Sequence, residues 1–65
     1  MRLSPHGGSI AIRGVDGQML HIFDIQGRMI VSEKAVEGKA YNMPSEGIYL
    51  IQIGNHPAQR VLLLR

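Results

Sequence analysis

The sequence predicts an all-β fold, a small antiparallel β-sandwich of six or seven short strands. Two observations carry this prediction: apolar residues recur at every second position, and glycines interrupt the chain about every ten residues. The glycines leave no window long enough for a stable helix. The 65 residues have room for one domain, which we place at 1–65 with a poorly defined leader at 1–8.

Alternation in "SIAIRG" and "QMLHIFD" predicts two strands in the first half of the chain. In the second of these, Leu20 and Ile22 share one face, and the opposite face holds Met19, His21 and Phe23. The dipeptide Asp16-Gly17 between the two strands is a strong hairpin signal, because Gly accepts a positive φ without steric cost. A tight turn is therefore expected there.

The segment "DIQGR" predicts a second turn, of type I. The Asp24 carboxylate can accept a hydrogen bond from the backbone two residues on, and Gly27 can take the left-handed position of a G1 bulge. The segment "RMIVSEK" is then the returning strand. We interpret Gly27 and Gly47 as requirements of the backbone and not as ligand contacts.

The second half predicts three further strands. A turn at Glu37-Gly38 leads into a short strand over 39–42, which Pro44 ends because it cannot donate to a ladder. "GIYLIQI" is apolar on both faces, as expected of a central strand, and we expect Tyr49 to be half-buried there with its hydroxyl near solvent. "RVLLLR" is the final strand. The predicted core is Leu20, Ile22, Ile30, Tyr49, Ile51, Ile53 and Leu63.

Composition excludes several classes of protein. The formal charge is +2, and the seven Lys and Arg residues are scattered singly among five acids, without the basic stripe and aromatic platforms of a nucleic-acid surface. The apolar runs are far shorter than the roughly 20 residues that span a bilayer. No disulfide can form, since the chain has no Cys. The N-terminus lacks the apolar region of a signal peptide, so an exported protein would carry its signal elsewhere, in a longer chain.

No pattern indicates an enzyme, a metal site, a cofactor or a small-molecule substrate. His6, His21 and His56 lack the spacing of zinc ligands, and ordinary turn or face positions explain them better. No serine lies in a G-x-S-x-G elbow, and the glycines precede no helix that could hold a phosphate. The four Met residues are better explained as the initiator and core filler than as a soft-metal site.

Three segments resemble a known family. "LHIFDIQGRMI" is similar to the V-x-V-Y-D-x-x-G-R-x-V hairpin, and "MPSEGIYLIQI" to the L-P-x-G-x-Y-x-V-x-I strand, of the C-terminal sorting domain of type IX secretion system (Por secretion system) cargo proteins of Bacteroidota. "QRVLLLR" resembles the last strand of that family, which ends on a basic residue. The resemblance covers Ile10 to Arg65.

The resemblance implies an Ig-like β-sandwich at the C-terminus of an unrelated secreted cargo. The outer-membrane translocon would recognise it, and a sortase-like peptidase would remove it and attach the cargo to the cell surface. The implied localisation is therefore secreted or cell-surface, reached through the periplasm. The sequence positions that match the sorting motif are Phe23, Asp24, Gly27, Arg28, Gly47, Ile48, Tyr49 and Arg65.

Two departures from the family pattern stand out. The N-P pair that often opens the domain is absent, which leaves the N-terminal boundary open, and Ser45-Glu46 makes the turn before Gly47 one residue longer. Arg28 and Arg65 are the candidates for polar contacts with the machinery, with simple solubility as the alternative for both.

A second interpretation is a structural or adhesive β-sandwich module that ends an extracellular protein and has no secretion role. In either case, a sandwich this small leaves strand edges unpaired, so we expect it to pack on its parent cargo domain or to self-associate through an edge strand or an apolar face.

Overall fold

The computed structural model describes residues 2–64, without the side chains of Arg2, Ser4 and His6. It confirms the all-β prediction: the described residues form strands and turns with no helix. The seven strands are β1 (Arg2–His6), β2 (Ser9–Arg13), β3 (Met19–Asp24), β4 (Met29–Lys34), β5 (Ala40–Asn42), β6 (Gly47–Ile53) and β7 (Gln59–Leu63).

The strands form two antiparallel sheets, one in the order β1-β2-β5 and the other in the order β4-β3-β6-β7. The second strand pairs with the fifth, and the third pairs with the sixth. These are the pairings of an Ig-like sandwich, so the predicted fold class is confirmed. Residues 2–6, which lie within the leader placed at 1–8, form β1 and pair with β2.

Alternating side chains of both sheets fill the core between them. All seven predicted core residues contribute, although Ile30 is only partly buried. The structure adds seven buried residues that the prediction did not include: Ile10, Ile12, Val15, Ala35, Tyr41, Met43 and Val61. Since these strands bury one face, Ile10 and Ile12 follow from the same period-two pattern that identified β2.

Three connections carry the chain from one sheet to the other, β2 to β3, β4 to β5 and β5 to β6. The Asp16-Gly17 turn forms as expected, with Gln18 N–H donating to Val15 O at 3.0 Å. It does not close a hairpin, however, because β2 and β3 lie in different sheets. The buried Val15 lies inside this turn, so the chain changes layer there. The predicted turn at Glu37-Gly38 forms the return connection, from β4 to β5.

The β2–β3 and β4–β5 connections are hydrogen-bonded to each other. Gly17 N–H donates to Ala35 O at 3.0 Å, and Ala35 N–H donates to Gln18 O at 2.7 Å. The Glu37 side chain accepts from Gly14 N–H at 2.7 Å, while Glu37 N–H donates to the Asp16 carboxylate at 3.0 Å. One end of the sandwich is therefore fastened by polar contacts as well as by the core.

A bulge shapes β4. The β3–β4 register shifts between Ile22↔Val31 and Phe23↔Met29, which leaves Ile30 as the additional residue on β4. A bulge lets neighbouring side chains turn toward the same side. Ile30 and Val31 accordingly both pack against the core, each partly buried.

The prediction that β6 is a central strand is confirmed, since it lies between β3 and β7. The expectation for Tyr49 on this strand is wrong in one respect. The residue is buried and not half-buried, and its hydroxyl donates to Ser45 O at 2.6 Å. A tyrosine near the start of this strand that bonds a backbone carbonyl a few residues upstream is the tyrosine corner of Ig-like domains.

Removing the Tyr49 hydroxyl should destabilise the protein, and removing that of Tyr41 should not. Tyr49→Phe loses the hydrogen bond to Ser45 and should lower the free energy of unfolding by about 1 kcal/mol. Tyr41 is the matched control, because its buried hydroxyl has no hydrogen-bond partner among the described residues. Tyr41→Phe should be neutral or stabilising. Urea unfolding of both variants measures the difference, and equal losses would contradict the corner assignment.

Candidate functional site

Five of the eight sorting-motif positions surround one end of the sandwich. Asp24 and Arg28 lie on the β3–β4 turn, and Gly47, Ile48 and Tyr49 begin β6 beside it. Asp24 is directly opposite Tyr49 in the β3–β6 ladder, which explains why two segments distant in sequence meet here.

The Asp24 carboxylate organises the turn. Its Oδ1 accepts from Gln26 N–H at 2.9 Å and from Arg28 N–H at 2.8 Å, while its Oδ2 lies 2.9 Å from Arg28 Nε. The backbone adds two bonds, from Gly27 N–H to Asp24 O and from Asp24 N–H to Arg28 O. This pattern confirms the predicted turn with a G1 bulge.

These donors favour the ionised form of Asp24. The backbone hydrogen bond from Arg28 is the principal cause that holds the pKa of this carboxyl below its usual value, and the guanidinium and Gln26 N–H act in the same direction. Asp24 is therefore ionised at neutral pH and is a weak base. Its role in the structure is to close the turn.

Gly27 has φ +85° and Gly47 has φ +145°, both in the region that favours glycine. A Cβ at either position would meet no heavy atom within 4 Å. The restriction is therefore conformational and not steric, which supports the interpretation of both glycines as backbone requirements.

Two shallow clefts open on this end of the sandwich, of about 170 and 460 Å³. Both are lined by Asp24, Arg28, Ser45 and Tyr49. The Arg28 side chain is 74% exposed, although its Nε bonds Asp24. A guanidinium held by one edge presents its remaining N–H groups outward, in the geometry that recognises carboxylate or phosphate oxygens.

Sequence reasoning missed the role of Ser45. Its carbonyl is the acceptor of the Tyr49 hydroxyl, four residues downstream, and it lines both clefts. The sequence feature that could have indicated this role is the longer turn at Ser45-Glu46, which the sequence analysis treated only as a departure from the family pattern.

Two further positions that match the motif, Phe23 and Gly27, do not line the clefts. Phe23 is on the outer face of the four-stranded sheet, where its ring stacks on that of His21 with centroids 6.4 Å apart. Gly27 is at the tip of the β3–β4 turn, and Arg65 lies outside the described residues.

Neither a metal centre nor a membrane span emerges from residues 2–64. No three His, Cys, Asp or Glu residues within that range converge closely enough to hold a metal ion. That range also contains no helix sufficiently long and apolar to cross a membrane.

Comparisons with family models, with curated proteins and with solved structures find no match to this chain.

Gly27→Ala should lower the free energy of unfolding by about 1 kcal/mol or more, because Ala pays a steric cost at positive φ. Gly27→Asn is the matched control, since Asn tolerates the left-handed region and should cost less. Urea unfolding separates the two. An alanine variant as stable as the wild type would contradict the conformational explanation.

Acid should weaken the turn through Asp24. With a folded pKa below the unfolded one, Asp24 contributes its full stabilisation above about pH 4. Below this, the unfolded chain takes up a proton first, so the contribution falls until the pH passes the folded pKa. Asp24→Asn keeps an Oδ1 acceptor but removes the charge. The wild type should therefore lose its advantage over Asp24→Asn as the pH drops from 5 toward 2, a range about that of carboxyl titration.

Constant advantage of the wild type over that range, measured by urea unfolding at each pH, would contradict a stabilising ionised Asp24.

Proposed function

We propose that this chain is a C-terminal sorting domain that directs a larger cargo protein through the type IX secretion system to the cell surface. The observation that carries the proposal is the convergence of Asp24, Arg28, Gly47, Ile48 and Tyr49, from two separate motif segments, around the clefts at one end of the sandwich. The partners are the outer-membrane translocon, the sortase-like peptidase and the parent cargo domain, and the localisation is secreted or cell-surface.

The physical argument concerns what a translocon can recognise. A machine that accepts many unrelated cargos cannot depend on their folds, so it needs one compact surface that each cargo carries. Arg28 supports this role: it is the cation at the cleft end, and most of its side chain is accessible. The edge strand β7 is a second contact, since an unpaired edge can accept a strand from a partner or from a second copy.

A specific observation favours the alternative, a structural or adhesive sandwich module without a secretion role. Asp24 closes a turn, Gly27 takes a positive φ, and Tyr49 forms the corner. Each of these motif positions is thus explained by the fold itself. Arg28 distinguishes the two functions, because the turn uses only the Nε of its guanidinium and most of the side chain is exposed.

The test fuses residues 1–65 behind a fluorescent carrier with a Sec signal in a bacterium that has a type IX system. Carrier at the surface or in the medium supports sorting, and retention in the periplasm overturns it and leaves the module. Removing the final strand is a poor control, because Val61 and Leu63 are buried and the domain would unfold.

A point variant gives a sharper comparison. Arg28→Gln should reduce export severalfold, because the exposed guanidinium contacts the machinery, whereas Arg13→Gln at the other end of the sandwich should export normally. Urea unfolding of the purified domains checks that both variants are folded. Normal export of Arg28→Gln would remove Arg28 from the recognition site.

A further inference from the structure

The outer faces of the two sheets differ in a way that the fold does not require. On the three-stranded sheet, small and polar side chains face outward from β2 and β5: Ser9, Ala11, Arg13, Ala40 and Asn42. On the four-stranded sheet, the outward positions hold a contiguous apolar group that we name the outer patch: Phe23, Met29, Ile48, Leu50 and Leu62.

The strand registers place these five side chains next to one another. Phe23 is paired with Met29 on one side and with Leu50 on the other, while Ile48 is paired with Leu62. Three of the five are strongly exposed, namely Met29 at 54%, Leu50 at 38% and Leu62 at 58%. A clustered apolar patch of this kind on a small domain marks an interaction surface.

The charged residues at the outward positions of these four strands are all positive. Arg60 is paired with Leu50, and Lys34 is paired with Met19 farther along the same face. The carboxylates within the strands of this sheet, Asp24 and Glu33, are paired with Tyr49 and Leu20, whose side chains point into the core. Among the described residues of these strands, the outer face thus combines apolar side chains with cations and no acid.

We propose that the outer patch docks a partner protein whose contact surface has apolar side chains flanked by Asp or Glu. The inference goes beyond the sorting function and does not depend on it. Phe, Met and Arg are enriched at protein interfaces, and all three occur in the Met29–Phe23–Leu50–Arg60 row that crosses the sheet.

Charge argues against a second copy as the occupant. Two copies would place the like charges of Arg60 and Lys34 on facing surfaces, which is unfavourable.

A displayed library of random short peptides, selected on the 65-residue chain, tests the proposal. Selected peptides should combine Leu, Phe or other apolar residues with Asp or Glu. The affinity of these peptides for the Leu50→Gln/Leu62→Gln variant should be about tenfold lower, because the variant lacks two anchor side chains. Their affinity for the control variant Ala11→Gln/Ala40→Gln, changed on the other outer face, should equal that for the wild type. Arg60→Gln/Lys34→Gln should weaken binding and abolish the preference for acidic peptides.

Other outcomes overturn the assignment. A selection that yields no binder, or binders indifferent to Leu50 and Leu62, removes the outer patch as a protein site. Sedimentation showing a dimer that Leu50→Gln/Leu62→Gln dissociates identifies a second copy as the occupant. Vesicles of phosphatidylglycerol that bind the wild type but not this variant identify an anionic membrane instead. Circular dichroism and urea unfolding confirm that each variant is folded.

Discussion

The hydrogen-bonded β2–β3 and β4–β5 connections are the constraint on which the sandwich depends. In a chain without cysteine, no disulfide holds the layers together. The core supplies attraction between them, but apolar contact has little directional preference. Hydrogen bonds between the Asp16-Gly17 turn and the 35–38 segment do have a preferred direction. They fix the points at which the chain leaves one layer and returns to it. The β3–β6 ladder in turn aligns Asp24 with Tyr49.

Lys39, at the end of the β4–β5 connection, makes two further contacts. Lys39 Nζ lies 2.8 Å from Glu33 Oε2 and 5.0 Å from the centre of the Tyr41 ring. The hydrogen bond to Glu33 raises the pKa of Lys39, which therefore stays charged. Glu33 belongs to β4 and Tyr41 to β5, so one cation contacts strands of both sheets. Because the side chains of the two partners are 46% and 42% exposed to solvent, the energetic contribution of the ion pair is small.

The sequence predicted the strands better than their partners. Period-two alternation fixes which face of β3 or β6 is buried, and it located both strands. It carries no information on which sheet a strand joins, so the Asp16-Gly17 turn was expected to close a hairpin. The contacts of Glu37 with Gly14 and Asp16 join residues more than 20 positions apart, and no local pattern encodes them. The role of Ser45 was hidden because a carbonyl acceptor leaves no side-chain signature.

The candidate site, too, could be predicted only in part from the sequence. The turn at Asp24 was predictable because the carboxylate, the bulge glycine and the returning strand are contiguous. The apolar residues on the second face of β6 correctly indicated a central strand, yet they are not buried. Leu50 faces outward on β6, which has a neighbouring strand on each side, and none of residues 2–64 forms a third layer over that face. Centrality within a sheet and coverage of its faces are separate properties, and the sequence pattern distinguishes them poorly.

The order of pairings also determines how the molecule assembles. β1–β2, β3–β4 and β6–β7 are hairpins whose strands are close in sequence, but an isolated hairpin is only marginally stable in water. β5 has no hairpin partner and pairs only with β2, where Ser9 and Asn42 meet across 33 positions. A single domain of this size unfolds as one cooperative unit. A protease that cuts one of the connections between the sheets would therefore release fragments that unfold together, and would not leave a trimmed but folded half.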